Sequence, residues 1–301
     1  MKILVTGGGG FVGRRLVERL AAQGQLVTAA LGVGTVAPKG IPAVPLELTD
    51  DASVRGVVQR GWDLVLHLAA VSSVRESRER PSRAWEVNTV GTARLAEAAA
   101  VAGARLLVVS TGEVYGAGAG PRPETAPTAP LSPYAASKLG AEIAALEVHR
   151  RAGLALVIVR PFPHTGPGQS AQFVVPAFAR RIRDAARRGE ATVPVGNLDP
   201  VRDLLHVDDV VEAYVRLLEV PFDGSIYNVA SGVGVSIRSI FERLAEFAGA
   251  KVRPVADPSL VRPVDLPELV GDASRLRAAT GWSPRYDLNT TLREVLRAQA
   301  D

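Results

Sequence analysis

Tyr134 and Lys138 stand four residues apart in Tyr134-Ala135-Ala136-Ser137-Lys138, a spacing that puts a phenol and an ammonium on one face of a helix. The chain has five tyrosines and four lysines in 301 residues. Such a pair is expected about 0.07 times by chance, so its presence is informative. A neighbouring cation favours tyrosinate and should draw the phenol from about 10 towards neutrality. A tyrosine so placed exchanges a proton with a sugar or alcohol oxygen while hydride moves on carbon. Ser110-Thr111-Gly112-Glu113-Val114-Tyr115-Gly116 closes an apolar run, and its Thr111 offers a hydroxyl to the same reacting oxygen. Nearer the N-terminus, Thr6-Gly7-Gly8-Gly9-Gly10-Phe11-Val12-Gly13 follows Ile3-Leu4-Val5. Glycines at 7, 10 and 13 permit a tight turn and close backbone approach, and a helix starting there presents N–H groups to an anion. The spacing is a variant of the dinucleotide-binding fingerprint.

These groups need a frame. Leu26–Leu31, Asp63–Leu68, Leu106–Ser110 and Ala155–Arg160 are near-continuous apolar runs that read as buried strands. Val12, Leu16 and Leu20 mark a helix after the glycines, and Asn88–Ala102 and Tyr134–Arg151 read as helices between strands. The alternation predicts an α/β, doubly wound parallel sheet with its ligands at the carboxyl ends of the strands. Regularity falls after Pro161. Gly166-Pro167-Gly168 reads as a turn, Val174–Arg188 as a helix, Ser225–Val229 as a strand and Thr290–Gln299 as a final helix. Residues 117–133 hold five prolines, at 121, 123, 127, 130 and 133, and read as a loop bordering the site.

Composition removes several chemistries. With no cysteine there are no disulfides, thiolate nucleophiles or Cys-based metal sites, which suits a cytoplasmic location. His67, His149, His164 and His206 lack metal-ligand spacing, so no metal is expected. A net charge of +4 comes from scattered arginines without a polybasic run. It fits an anionic small molecule and disfavours nucleic acid. The opening apolar run is too short for a signal-peptide core, and no segment approaches a membrane span.

Taken in order, Thr6-Gly7-x-x-Gly10-x-x-Gly13, His67-Leu68-Ala69-Ala70, Asn88-Thr89-Val90-Gly91-Thr92, the Thr111 segment and Tyr134-x-x-x-Lys138 make the chain resemble the extended short-chain dehydrogenases/reductases of the NAD-dependent epimerase/dehydratase family. Later segments extend the likeness, among them Arg160-Pro161-Phe162-Pro163-His164-Thr165-Gly166-Pro167-Gly168-Gln169, Arg202-Asp203 and Tyr227-Asn228-Val229. Within that family the His164-x-Gly166-Pro167-Gly168-Gln169 run, Val195–Leu198 before Arg202-Asp203, and Arg262-Pro263 before Leu269-Val270-Gly271 are most similar to reductases of GDP-4-keto-6-deoxy-D-mannose, which form GDP-D-rhamnose.

The resemblance implies a Rossmann domain from 1–161 and about 208–231, with a smaller C-terminal substrate-binding lobe from about 162–207 and 232–301. It implies NAD or NADP as cofactor, a GDP-linked nucleotide sugar as substrate, and a homodimer through the helices near 88–102 and 134–151. Tyr134 would be the proton donor, Lys138 would hold the nicotinamide ribose, and Thr111 would bond the sugar C4 oxygen. Gly7, Gly10, Phe11, Val12, Gly13, Leu48, Leu68, Ala69, Ala70, Asn88, Tyr134, Lys138 and Pro161 would line the cofactor. Ser72, Ser73, Thr111, Gln169, Arg202 and Arg262 would line the substrate. Arginine suits phosphate through its forked, charge-assisted bonds.

Three departures keep alternatives open. Leu31-Gly32 ends the second strand without the acid that reads a ribose diol or an Arg for a 2′-phosphate, so NAD and NADP stand equal. Glu47 is a candidate for adenine contact. Pro163 replaces the Asn that most relatives use near the nucleotide-sugar phosphates, and Pro has no donor to offer. Glu113 stands where the related 4,6-dehydratases carry a catalytic acid. A 4-epimerase or 4,6-dehydratase with retained NAD is therefore the first alternative. A non-enzymatic dinucleotide sensor is the second.

Overall fold

The computed structural model describes residues 1–261 and 265–298. Its central sheet has seven parallel strands: β1 (Lys2–Thr6), β2 (Leu26–Leu31), β3 (Ala43–Pro45), β4 (Leu64–His67), β5 (Arg105–Val109), β6 (Leu156–Pro161) and an edge strand, Asp223–Val229. Across the sheet they run Asp223–Val229, β6, β5, β4, β1, β2, β3. The chain thus winds outward from β1 to β3, returns, and winds the other way from β4. The reversal leaves a crevice at the carboxyl ends of β1 and β4, where doubly wound sheets bind ligands.

Side-chain alternation along the strands explains why these runs are apolar throughout. Ile3, Val5, Leu64, Leu66, Leu107, Val157 and Val159 face one core, closed by α1 (Phe11–Ala22) and, from later in the chain, the helix Val207–Arg216. Leu4, Val65, Leu106, Val108, Leu156 and Ile158 face the other. That second core is closed by α2 (Asp51–Val58) and by the helices Gly91–Ala102 and Pro133–Ala152. A sheet buried on both faces has no use for a polar alternation.

The remaining helices follow in order: α3 (Val74–Glu79), α4 (Pro81–Ala84), α5 (Gly91–Ala102), α6 (Pro133–Ala152), α7 (Val174–Arg188), α8 (Val207–Arg216), α9 (Ile237–Phe247), α10 (Ser274–Thr280) and α11 (Leu288–Ala298). The helix expected from Asn88 is α5 preceded by a π-helical turn, Trp85–Val90. The wider turn interrupts the 3.6-residue period and carries Asn88 inward. The final helix ends at Ala298 among the described residues, and Gln299 lies outside them.

A third core joins α7, α9, α11 and the strand Thr192–Val195, with Phe178 and Phe241 edge-to-face at 5.4 Å. Leu266, Leu269, Ala273, Leu276 and Trp282 pack instead on the α1/α8 side of the large sheet. Residues 117–132 form a loop tied by Arg122 N–H to the Val270 carbonyl and by Ala129 N–H to the Val114 carbonyl, each 2.9 Å, while Pro133, expected in that loop, is the first residue of α6 because proline suits a helix's first turn. Among the described residues, no helix is long and apolar enough to cross a membrane.

Candidate active site

The glycine turn connects β1 to α1 and is shaped by close approach. Gly7 has φ +70°, and a Cβ there would stand 2.9 Å from the Ala69 nitrogen. At Gly13 a Cβ would run into the Gly7 carbonyl oxygen, well inside van der Waals contact. Gly10 precedes α1 without a side-chain cap, so the first-turn N–H groups face the crevice unmet by a side chain. Leu68, Ala69 and Ala70 form the opposite wall at the end of β4 and are partly exposed. A cradle that side chains would fill, beside an uncapped helix start, fits a dinucleotide pyrophosphate. The Phe11 ring, in the first turn of α1, stacks on His164 with centroids 6.3 Å apart.

His67 ties the two walls together from below. It is fully buried, with Nδ1 2.7 Å from Thr6 Oγ1 and Nε2 3.0 Å from Thr92 Oγ1. The Ala69 N–H donates to Thr6 Oγ1, which leaves the Thr6 hydroxyl hydrogen for Nδ1. Thr92 gives its hydrogen to the Asn88 carbonyl, so Nε2 is the donor. Burial, with the Lys138 charge adding to it, holds the imidazole down to about 3. His67 is therefore neutral in the folded chain. The unfolded chain binds the extra proton below about 6.5, so stability is full above that pH and drains away as pH falls towards 3. The loss is bounded at about 5 kcal/mol. Thermal unfolding from pH 7 to 4.5 should show wild type losing stability faster than His67→Gln, and parallel curves would contradict this.

Ser132 caps α6 by accepting from the Ala135 N–H at 3.1 Å, and Pro133 occupies the first turn. Tyr134 then lies at the helix entrance, half-buried, and Lys138 one turn deeper, 2% exposed. Thr111 lies just past β5, 7% exposed, and accepts from the Glu113 N–H at 3.2 Å. The structure sets the Tyr134 phenol beside the Thr111 hydroxyl, with Glu113 close enough for its charge to act on the phenol. The electrostatics correct the expectation for Tyr134. Burial first, and the Glu113 carboxylate second, push its phenol above the ordinary value, and only the Thr111 bond opposes them. The Lys138 ammonium is itself drawn down to about 8 by burial, against which Glu142 acts.

Other expected residues divide into those in the cleft and those beneath it. Glu113 and Arg202 line one cleft together with Arg78, Leu131, Ser132 and Asp265. Arg202 is held there by Asp265 Oδ1 at 2.6 Å and by the Leu266 carbonyl at 2.8 Å. Asn88 is only 1% exposed. Its amide is engaged by the Val71 backbone and by Ser137 Oγ at 2.9 Å, so it braces the Leu68–Val71 wall rather than facing it. Gln169 is likewise turned into its own loop, bonding Thr165 and the His164 carbonyl. Leu48 is buried against Gly91, and Pro161 is buried at the end of β6. Ser73 caps α3, while Ser72 is exposed. Glu47 is occupied by the Thr49 N–H and hydroxyl, which also hold its carboxyl below the usual range. Arg262 lies outside the described residues. Sequence reasoning gave no role to Glu142, although Tyr134, Lys138 and Glu142 repeat at four-residue spacing on one helix face.

Residues 3–230 match the family described as NAD dependent epimerase/dehydratase. The chain belongs to that family. It is an enzyme of the extended short-chain dehydrogenase/reductase type, and NAD(P) is the family's cofactor. It is 35% identical to GDP-6-deoxy-D-mannose reductase of Pseudomonas aeruginosa, over 98% of this chain and 96% of that one. The structure of RMD from the same organism, complexed with NADPH, superposes with a TM-score of 0.84 at 33% identity, covering 99% of each chain. UDP-glucose 4-epimerase of Thermus thermophilus in complex with NAD gives a TM-score of 0.88 at 33% identity, over 100% of this chain and 99% of that one. Membership accounts for the topology and the glycine cradle. It leaves the sugar and the reaction type to the site.

Proposed function

We propose that the chain reduces the C4 keto group of a nucleotide-linked 4-keto-6-deoxy sugar, GDP-4-keto-6-deoxy-D-mannose to GDP-D-rhamnose. The observation that carries this reading is the gathering of Thr111 at the end of β5 with Tyr134 at the entrance of α6 and Lys138 one turn deeper. The Tyr134 phenol is protonated at neutral pH, the form a proton donor to a developing alkoxide needs. The full-length similarity to a GDP-6-deoxy-D-mannose reductase supports the same direction.

A bound reduced nicotinamide supplies the hydride to C4. Gly7, Gly10, Phe11, Val12 and Gly13 hold the dinucleotide by backbone N–H groups, and Leu68, Ala69 and Ala70 close its other side. Lys138 holds the nicotinamide ribose with its ammonium. Thr111 orients the C4 oxygen and Tyr134 protonates it. Arg202 meets the sugar-nucleotide phosphates by exchanging its bond to Asp265, and the lobe of about 162–207 and 232–301 covers the sugar. A homodimer through α5 and α6 is part of the reading. It is supported by Val101 and Ile143, 83% and 61% exposed on those helices, and light scattering tests it.

Glu113 favours one competing reaction, elimination of water by a 4,6-dehydratase, because it lies in the cleft beside Tyr134. Purified protein should be offered GDP-, UDP- and dTDP-linked 4-keto-6-deoxy sugars with NADPH or NADH while absorbance of the reduced nicotinamide is followed. Consumption equal to product, greatest with the GDP-linked sugar, is expected. Turnover of a 4-hydroxy sugar without net redox change would transfer the assignment to the epimerases and dehydratases.

A further inference from the structure

Arg14 directly follows the last glycine of the turn, and its side chain runs back alongside that turn. Its Nε donates to the Gly9 carbonyl and its Nη2 to the Val36 carbonyl, each at 3.1 Å. Gly9 belongs to the glycine turn, and Val36 to the loop that leaves β2 at Gly32. The loop lies against the turn. A Cβ on Gly9 would stand 2.9 Å from the Val36 carbonyl oxygen and 3.2 Å from both Leu31 Cδ2 and Thr35 Cβ. Thr35 closes the loop on itself, because its N–H and its hydroxyl both donate to the Gly32 carbonyl, at 3.2 and 2.8 Å. The guanidinium is thus clamped by two neutral carbonyls, which fix its place and leave its charge uncancelled. Among the described residues no carboxylate, Glu18 one turn on included, forms an ion pair with it. Arg14 is exposed, and the donors it has not spent on the two carbonyls remain for an anion. The next residue, Arg15, is used differently, held by Asp208 at 3.1 Å and by the Pro167 carbonyl.

A dinucleotide seated by its pyrophosphate on this turn brings its adenosine ribose to the end of β2. An acid there bonds a ribose 2′-hydroxyl and repels a 2′-phosphate. Here Leu31 packs against Gly9 and Gly32 has no side chain, so neither supplies an acid. The next acids along the chain do not take its place: Glu47 is occupied by Thr49, and Asp50 caps α2. We propose that Arg14 is a specificity-determining residue: its guanidinium, clamped between the Gly9 and Val36 carbonyls, takes the 2′-phosphate of NADP(H) and makes this chain select NADP(H) over NAD(H). Arginine meets a phosphate through forked, charge-assisted bonds, which a 2′-hydroxyl cannot return with equal strength. The cation that the sequence lacks just after β2 is supplied in space from α1.

The inference concerns the dinucleotide seat alone and holds whichever sugar is reduced. Titration of the cofactor-free protein, by fluorescence or calorimetry, reads it without turnover. NADPH is compared with NADH, and 2′,5′-ADP with 5′-AMP, two fragments that differ only in the 2′-phosphate. Wild type should prefer the phosphorylated member of each pair. In Arg14→Gln the affinities for NADPH and 2′,5′-ADP should fall by about tenfold to a hundredfold, the worth of hydrogen bonds to a charged group, with NADH and 5′-AMP unmoved. Gly32→Asp is the second variant. Open space surrounds that position, and an acid there should likewise weaken NADPH and 2′,5′-ADP and spare NADH. Equal weakening of NADPH and NADH in Arg14→Gln would make Arg14 a brace of the glycine turn only. That result overturns the proposal, as would wild type showing no preference within either pair, or Gly32→Asp leaving the preference intact. No sugar enters these titrations, so rejection of the reductase reading would leave their result standing.

Discussion

Tyr134→Phe is expected to lower kcat for ketone reduction by about a hundredfold to ten-thousandfold, the usual contribution of a positioned proton donor. The phenyl ring fills the same half-buried space at the entrance of α6, and Ser132 still caps the helix. Folding should be little changed, because the substitution removes one oxygen and leaves the ring in place. Dinucleotide affinity should stay close to wild type, since the glycine turn and Lys138 are untouched. Steady-state kinetics and fluorescence titration of the cofactor separate the two effects. Parallel loss of binding and turnover would show that Tyr134 serves the cofactor and not the proton.

Gly13→Ala should have the second largest effect, and on a different step. The added methyl would meet the Gly7 carbonyl oxygen, the Gly7 carbonyl carbon and the Gly8 Cα, the last two at 2.9 Å. All three are backbone atoms, so no rotamer change relieves the clash. Overpacking of this kind costs about 1–3 kcal/mol. It also tilts α1 away from the turn that receives the pyrophosphate. Cofactor affinity should fall by about tenfold or more, as about 1.4 kcal/mol of lost binding would give. Gly56→Ala in α2 is the control, because open space surrounds that position and alanine favours a helix. If both variants bind dinucleotide alike, close packing at Gly13 is not what shapes the cradle.

Much of this was legible in the chain because the physics was local. Ile3-Leu4-Val5 and Leu64-Val65-Leu66 are apolar on both faces, and that alone requires two cores and hence helices on both sides of the sheet. The glycine turn and the helix Val174–Arg188 are likewise written in neighbouring residues, and the helix expected over Tyr134–Arg151 is α6, which starts one residue earlier at Pro133. What was not legible depends on distant partners. The π-helical turn before α5 has no composition signature; it exists because Asn88 must reach Val71 and Ser137. The direction of the Tyr134 shift was read from its neighbour Lys138, whereas burial and Glu113, 21 residues upstream, decide it. Gln169 and Glu47 looked available because their loop partners, Thr165 and Thr49, carry no pattern that announces a bond.

The reductase reading and its rivals divide on whether hydride stays in the sugar. Supplying GDP-4-keto-6-deoxy-D-mannose with NADPH deuterated at the transferable C4 position, and weighing the product, tests this most directly. The account predicts a product heavier by one deuterium, located at the sugar C4, with one reduced nicotinamide consumed per product. Product lacking deuterium, or formed with no net oxidation of the nicotinamide, would contradict it.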